Sequence, residues 1–352
     1  MLSTKTLLRL LFLSFSFSAT SAFADFDSVQ QCVNQKYQGL TNRRSIAAAI
    51  VDAKNTKLLT YGQAKVDQIF EIGSLTKTFT ANLLAQEIVN KNLRLSDAIP
   101  SEYQKNGSVI TYQHLTTHTS GIIPGNFPGY TGPNPQSPYE GLTIPLFKDF
   151  YSRTPLESQP GSKWDYSNIA VGLLGTILGE RNQSSYEALV SDRIFKVLGM
   201  NDSYFEVPDA AKQRFPQGNV NGQPWSYWDL FNTAIDPAGG IRSTISDMAL
   251  YTRANLIPES SSLESSITLS HQPLYYVDEH KIWMGMNWIL EPDKNLIWHN
   301  GSTVGFNSIL AISTKYNVAV VALTDTGVFN ADSEGHQTED KSLQDIVFEC
   351  LQ

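Results

Sequence analysis

Cysteine is scarce in this chain of 352 residues, with only Cys32 and Cys350, and charge is modest at 17%. Two cysteines so far apart leave no C-x-x-C pair, which removes cysteine-based zinc sites and dithiol redox motifs from consideration. Acids outnumber bases, 34 to 26, for a formal net charge of -8. That balance argues against a nucleic-acid partner. Past the first two dozen residues, no apolar run approaches the roughly 20 residues that a membrane-spanning helix needs. There is no internal repeat. The 41% of hydrophobic residues is ordinary for a globular protein and sufficient for a substantial core.

The first residues have the pattern of a leader. Lys5 and Arg9 precede an apolar and serine run from Leu10 to Phe17, and Ala22-Phe23-Ala24 supplies a small-x-small cleavage site. This pattern predicts a signal peptide over 1–24 and an exported mature chain over 25–352, periplasmic or secreted. Export places Cys32 and Cys350 in an oxidising compartment, where they either join the two ends as a disulfide or remain two buried thiols.

Arg44 to Asp52 and Lys57 to Gln63 are apolar runs separated by a turn, which predicts an antiparallel hairpin. From Leu75 the apolar period becomes helical, through Phe79 and Leu83 to about Asn92. Gly121 to Pro145 holds five Gly and six Pro, so a long irregular loop is expected. Its Phe127, Tyr130 and Tyr139 either line a pocket or pin the loop to the surface. Helical patterns resume at Ile169 to Leu178 and Tyr186 to Leu198. Lys281 to Leu290, Leu296 to His299, Phe306 to Ser313 and Val318 to Thr324 read as strands, Asp332 to Asp340 as a solvated turn and Ser342 to Leu351 as a helix. Strands near both ends with helices between them predict an α+β fold, one sheet closed by the two termini and carrying a mostly helical lobe.

Three short motifs carry chemistry. In EIGSLTKTFT, Ser74 stands three residues before Lys77, so both rise from one helix face where a strand turns into a helix. A helix N-terminus favours an oxyanion at Ser74, and desolvation of Lys77 would let it accept the serine proton. Taken alone, the stretch reads equally well as an N-cap serine and a surface lysine. Tyr166-Ser167-Asn168 is the only Y-x-N of the chain, and His299-Asn300-Gly301 its only H-x-G. Each alone is compatible with a buried tyrosine or an ordinary turn.

In this order and at this separation, the three motifs resemble those of the serine β-lactamase and penicillin-binding superfamily, in its branch of class C β-lactamases, DD-peptidases and related esterases. HLTTHTSGI (His114 to Ile122), PGSKWDYSN and DPAGGIRSTISDMALYTRANL (Asp236 to Leu256) extend the likeness over most of the mature chain. The resemblance implies a β-lactamase/transpeptidase-like fold: an antiparallel sheet flanked by helices plus a mostly helical lobe. It implies that Ser74 is acylated while Lys77 and Tyr166 handle the proton, in an order left open. Lys77 would supply the charge that lowers the tyrosine's pKa, and Asn168 would bond the substrate amide and the lysine. Backbone N–H groups of Ser74 and Ser302 would hold the oxyanion. His299 and Asn300 stand where class C enzymes usually have Lys and Thr, so a substrate carboxylate would meet a partly charged imidazole.

The expected activity is an acyl-enzyme hydrolase acting on β-lactams or D-Ala-D-Ala peptides, with no metal and no cofactor. An esterase or D-aminopeptidase on the same scaffold, and a penicillin-binding protein without turnover, are the alternatives. His114 and His118 have zinc-like spacing, but Leu115 occupies the place of the H-E-x-x-H glutamate. The chain also lacks the G-x-S-x-G of an α/β-hydrolase elbow.

Overall fold

The computed structural model describes residues 25–40, 44–105, 107–327 and 342–352. The leader expected over 1–24 and the turn expected over 332–340 lie outside them.

Eight strands form one antiparallel sheet: β1 (Ser45–Val51), β2 (Thr56–Gly62), β3 (Tyr275–Val277), β4 (Ile282–Met284), β5 (Ile289–Glu291), β6 (Leu296–Ser302), β7 (Asn307–Ser313) and β8 (Val318–Thr324). Their order across the sheet is β2-β1-β8-β7-β6-β5-β4-β3. The central strand β1, SIAAAIV, reads as an unbroken apolar run because both of its faces are covered. Ile46, Ala48 and Ile50 pack with two terminal helices, α1 (Phe26–Gln38) and the chain's last helix, Leu343–Cys350. Ala47, Ala49 and Val51 join the core on the opposite side. A disulfide between Cys32 and Cys350 ties the two terminal helices together, with Cα atoms 5.6 Å apart.

The helices between β2 and β3 make up the other part of the core. Its centre is α2 (Thr76–Val89), whose positions 76 to 85 are all buried, and α3 (Asn168–Arg181), buried from Ile169 to Gly179. The apolar period of the first foresaw a core-facing stripe, but neighbours surround that helix on nearly all sides. α4 (Ile245–Leu256) packs against β1 and β8. Gly121 to Thr143 is irregular, as its Gly and Pro content predicts, and a short helix, Ile144–Arg153, follows. Phe127 pins the loop by packing between Phe147 and Phe150.

One expected strand is two. Between Met284 and Ile289 the backbone leaves the ladder: Met286 N–H bonds Ser270 and Asn287 N–H bonds Thr116. Asn287 takes a positive φ of 53°, for which asparagine is well suited. The result is that Asn287 Nδ2 reaches the backbone carbonyl of Lys77 at 3.2 Å, bracing the start of α2.

Candidate active site

Ser74 lies in a single 3-10 turn, Gly73–Leu75, that runs into α2. The strand-like lead-in is Ile69–Glu71, paired antiparallel with Arg242–Thr244. Lys77 Nζ is hydrogen-bonded to Ser74 Oγ at 2.8 Å and donates to the carbonyl of Ala238 at 2.7 Å. The lysine is completely buried, and that burial pulls its pKa well below 10.5. An amine whose ammonium form burial disfavours thus sits on the serine hydroxyl, the geometry that a base for that proton needs.

Tyr166 is adjacent, with Lys77 Nζ 4.8 Å from its ring centroid. The expectation that lysine charge lowers its pKa is not met: burial pushes Tyr166 above 10, offset in part by its interaction with Ser74. Two histidines flank the phenol, His118 at 4.4 Å and His299 at 6.3 Å between ring centroids. His118 Nδ1 accepts the N–H of Ser167, which fixes the backbone beside the tyrosine. His114 instead caps its own short helix by accepting the N–H of Thr111. The zinc-like spacing of these two histidines in the sequence therefore ends in separate structural uses.

The partly charged imidazole expected at His299 is also corrected. Burial, helped by the nearby Lys77, lowers its pKa to about 3, so it is neutral at physiological pH. Its Nδ1 is bonded to the carbonyl oxygen of Asn300 at 2.6 Å, so in the neutral ring that nitrogen carries the hydrogen. Asn168, expected to bond the lysine, instead donates to the hydroxyl of Tyr139 at 3.1 Å. Ala238, within the DPAGG stretch, takes that role through a backbone carbonyl. Tyr139 is thereby drawn to the site from the irregular loop.

The third motif lies on β6. Strand β5 pairs with it only as far as Trp298, so His299 to Ser302 turn their free edge toward the nucleophile turn. Two glycines make the approach possible. A Cβ on Gly73, whose φ is +51°, would come within 2.7 Å of Ser302 N, and one on Gly301 within 2.8 Å of Ser74 N and against the Ile72 carbonyl. Ser308 Oγ donates to that carbonyl at 2.7 Å and locks the two segments together. The N–H groups of Ser74 and Ser302 therefore belong to backbones in near contact, as an oxyanion hole requires. Beside them opens a cavity of about 300 Å3 lined by Ser74, Tyr166, Asn300, Ser302, Ser308 and Gln344, among others.

Gly301→Ala should leave the fold intact but force β6 away from Ser74. A shift of up to about 1 Å costs on the order of a hundredfold in rate. A kcat/KM within twofold of wild type would show that the close approach is not needed.

A serine held against a desolvated amine, with a second backbone N–H brought beside it, is equipment for acyl transfer, and the chain is a serine hydrolase. The Beta-lactamase family profile matches residues 33–344, and the chain belongs to that family. It is 25% identical to a beta-lactamase of Pseudomonas fluorescens, over 86% of this chain and 95% of that protein. With a beta-lactamase of Escherichia coli (strain K12) it shares 27% identity, over 81% and 77% of the two chains. Its fold matches a solved class C beta-lactamase with a TM-score of 0.77, covering 93% and 96% of the chains at 20% identity.

Proposed function

We propose that this protein is an exported hydrolase that forms an acyl-enzyme on Ser74 with β-lactams and with the D-Ala-D-Ala peptides that β-lactams resemble. The hydrogen bond between Lys77 Nζ and Ser74 Oγ, inside a buried site that disfavours the ammonium form, carries the reading. Ser74 Oγ attacks the carbonyl carbon and its proton passes to Lys77. The developing oxyanion lies between the N–H groups of Ser74 and Ser302. As the C–N bond breaks, the proton reaches the leaving nitrogen through the Tyr166 hydroxyl, which stays protonated in the resting state. Water then attacks the ester and releases Ser74. Asn168 and Tyr139 form the amide-facing wall. Export is supported by the disulfide and by the leader pattern. Among the described residues, no helix is long and apolar enough to cross a membrane.

The test is an intact-mass time course with a chromogenic cephalosporin, beside a D-Ala-D-Ala peptide and an activated ester. An adduct that forms on wild type and decays is expected. A persistent adduct would assign a penicillin-binding protein, and reaction with the ester alone an esterase. The second of these draws support from neutral His299, which offers a substrate carboxylate no charge.

A further inference from the structure

Glu71 stands three residues before Ser74, and no chemical step above uses it. Its side chain is buried, yet three segments converge on it. Thr303 Oγ1 donates to Oε2 at 2.6 Å, and the N–H of Trp228 donates to Oε1 at 2.9 Å. Arg242 Nη2 lies 3.7 Å from Oε1. The same Arg242 nitrogen donates to the carbonyl of Trp228 at 2.6 Å, so Glu71 and Arg242 hold that residue's backbone from both sides.

Each segment is a wall of the site. Thr303 follows Ser302, whose N–H is one of the two oxyanion donors. The Trp228 ring meets Tyr139 edge-on at 5.9 Å, and the Tyr139 hydroxyl accepts from Asn168. Glu71 itself is part of the short strand that delivers the nucleophile. One carboxylate therefore joins the nucleophile turn, the oxyanion end of β6 and the Tyr139–Asn168 wall.

We propose that Glu71 is a positioning residue for acyl transfer: it fixes the spacing between the Ser74 turn and the Ser302–Thr303 backbone by accepting from Thr303 and Trp228 together. This rests on the reading of Ser74 as the nucleophile. A purely structural role fits less well, because a carboxylate here costs stability. Burial raises its pKa to about 7, against the lowering effects of Arg242, Thr303 and Trp228, with Asp229 adding to the rise. The folded state thus binds more protons than the unfolded one between about 4.5 and 7, and stability falls as pH rises through that window. The ionised form is the one that all three donors favour, and it accumulates where the penalty is greatest.

The test uses a fluorophosphonate, which needs no assumption about natural substrate. Ser74 Oγ attacks phosphorus, fluoride leaves, the serine proton passes to Lys77, and the phosphonyl oxygen enters the oxyanion hole. Labelling of the mature chain is followed by intact mass from pH 5 to 9. Glu71→Gln is expected to label at least about tenfold more slowly at pH 8 and to lose the part of the wild-type rise centred near pH 7. It should also lose the wild-type fall in stability between pH 4.5 and 7. Thr303→Val should share the rate defect and Thr303→Ser should restore it, and this pair decides the matter if Glu71→Gln does not fold. A Glu71→Gln profile superimposable on wild type, or equal rates for the two Thr303 variants, overturns the proposal, as does a wild type that does not label. A wild type that labels at Ser74 but forms no adduct with β-lactam, peptide or ester defeats the substrate assignment alone.

Discussion

Ser74→Ala is expected to remove the covalent adduct entirely and to lower turnover of any good substrate by at least about a thousandfold, the scale on which nucleophile loss acts in other serine hydrolases. Lys77→Met should come close to it. Methionine fills much the same volume but cannot take the serine proton, and general-base loss alone is worth roughly a hundred- to ten-thousandfold. Stability should respond differently. The substitution strands the Ala238 carbonyl, at about 1–3 kcal/mol, but relieves the desolvation of a buried amine. Near-neutral or improved stability with almost no activity is therefore the expected result.

The pH dependence of stability offers a separate check. Burial places the folded-state pKa of Lys77 below its ordinary 10.5. Between those two values the unfolded chain binds more protons, so Lys77 makes stability rise with pH across that window. Lys77→Met should remove this contribution. Wild-type acylation rates in Lys77→Met, measured by stopped-flow and intact mass, would transfer the role of base to another group.

The second large effect is on stability. The Cys32–Cys350 disulfide closes a loop with a sequence separation of 318 residues, joining the two helices that cover one face of the sheet. In the chain-entropy account a loop of this length restricts the unfolded state by about 5 to 6 kcal/mol, an upper bound. Reduction, or Cys32→Ser with Cys350→Ser, should lower the melting temperature by roughly 5–10 °C for a chain of this size. Gln344 of the last helix lines the cavity, but Ser74, Lys77 and Tyr166 stand on other elements, so kcat at room temperature should change little. Identical thermal scans with and without reductant would mean that the terminal helices are held by packing alone.

Much of the architecture was legible in the residues themselves. The predicted hairpin is present as β1 and β2, paired from Ser45 opposite Gly62 to Val51 opposite Thr56. The continuous apolar strands near the two ends of the chain do share one sheet. What misled was local: Lys281 to Leu290 has a strand's composition, but Asn287 turns out of the ladder to brace α2, a use set by a residue about 210 positions away. Tyr139 was one of three aromatics offered either as pocket lining or as pins for the loop, whereas Glu71, Thr303 and the Ala238 carbonyl were not recognised as parts of the site. Glu71 and Ala238 carried a signal, lying within the two stretches that flank the nucleophile, but nothing in either stretch names its partner.

The sequence by itself determined the spacing of Ser74 and Lys77 on one helical turn, the order of three motifs, and a sheet drawn from both ends of the chain. These are properties of periodicity and neighbouring residues, which backbone geometry converts directly into shared faces. Tertiary structure decided the charge states and the partners. Lys77 and His299 have lost basicity, and Tyr166 and Glu71 have lost acidity, because the surrounding fold removes water from them. Desolvation depends on every segment packed around a group, and in this protein those segments come from opposite ends of the chain.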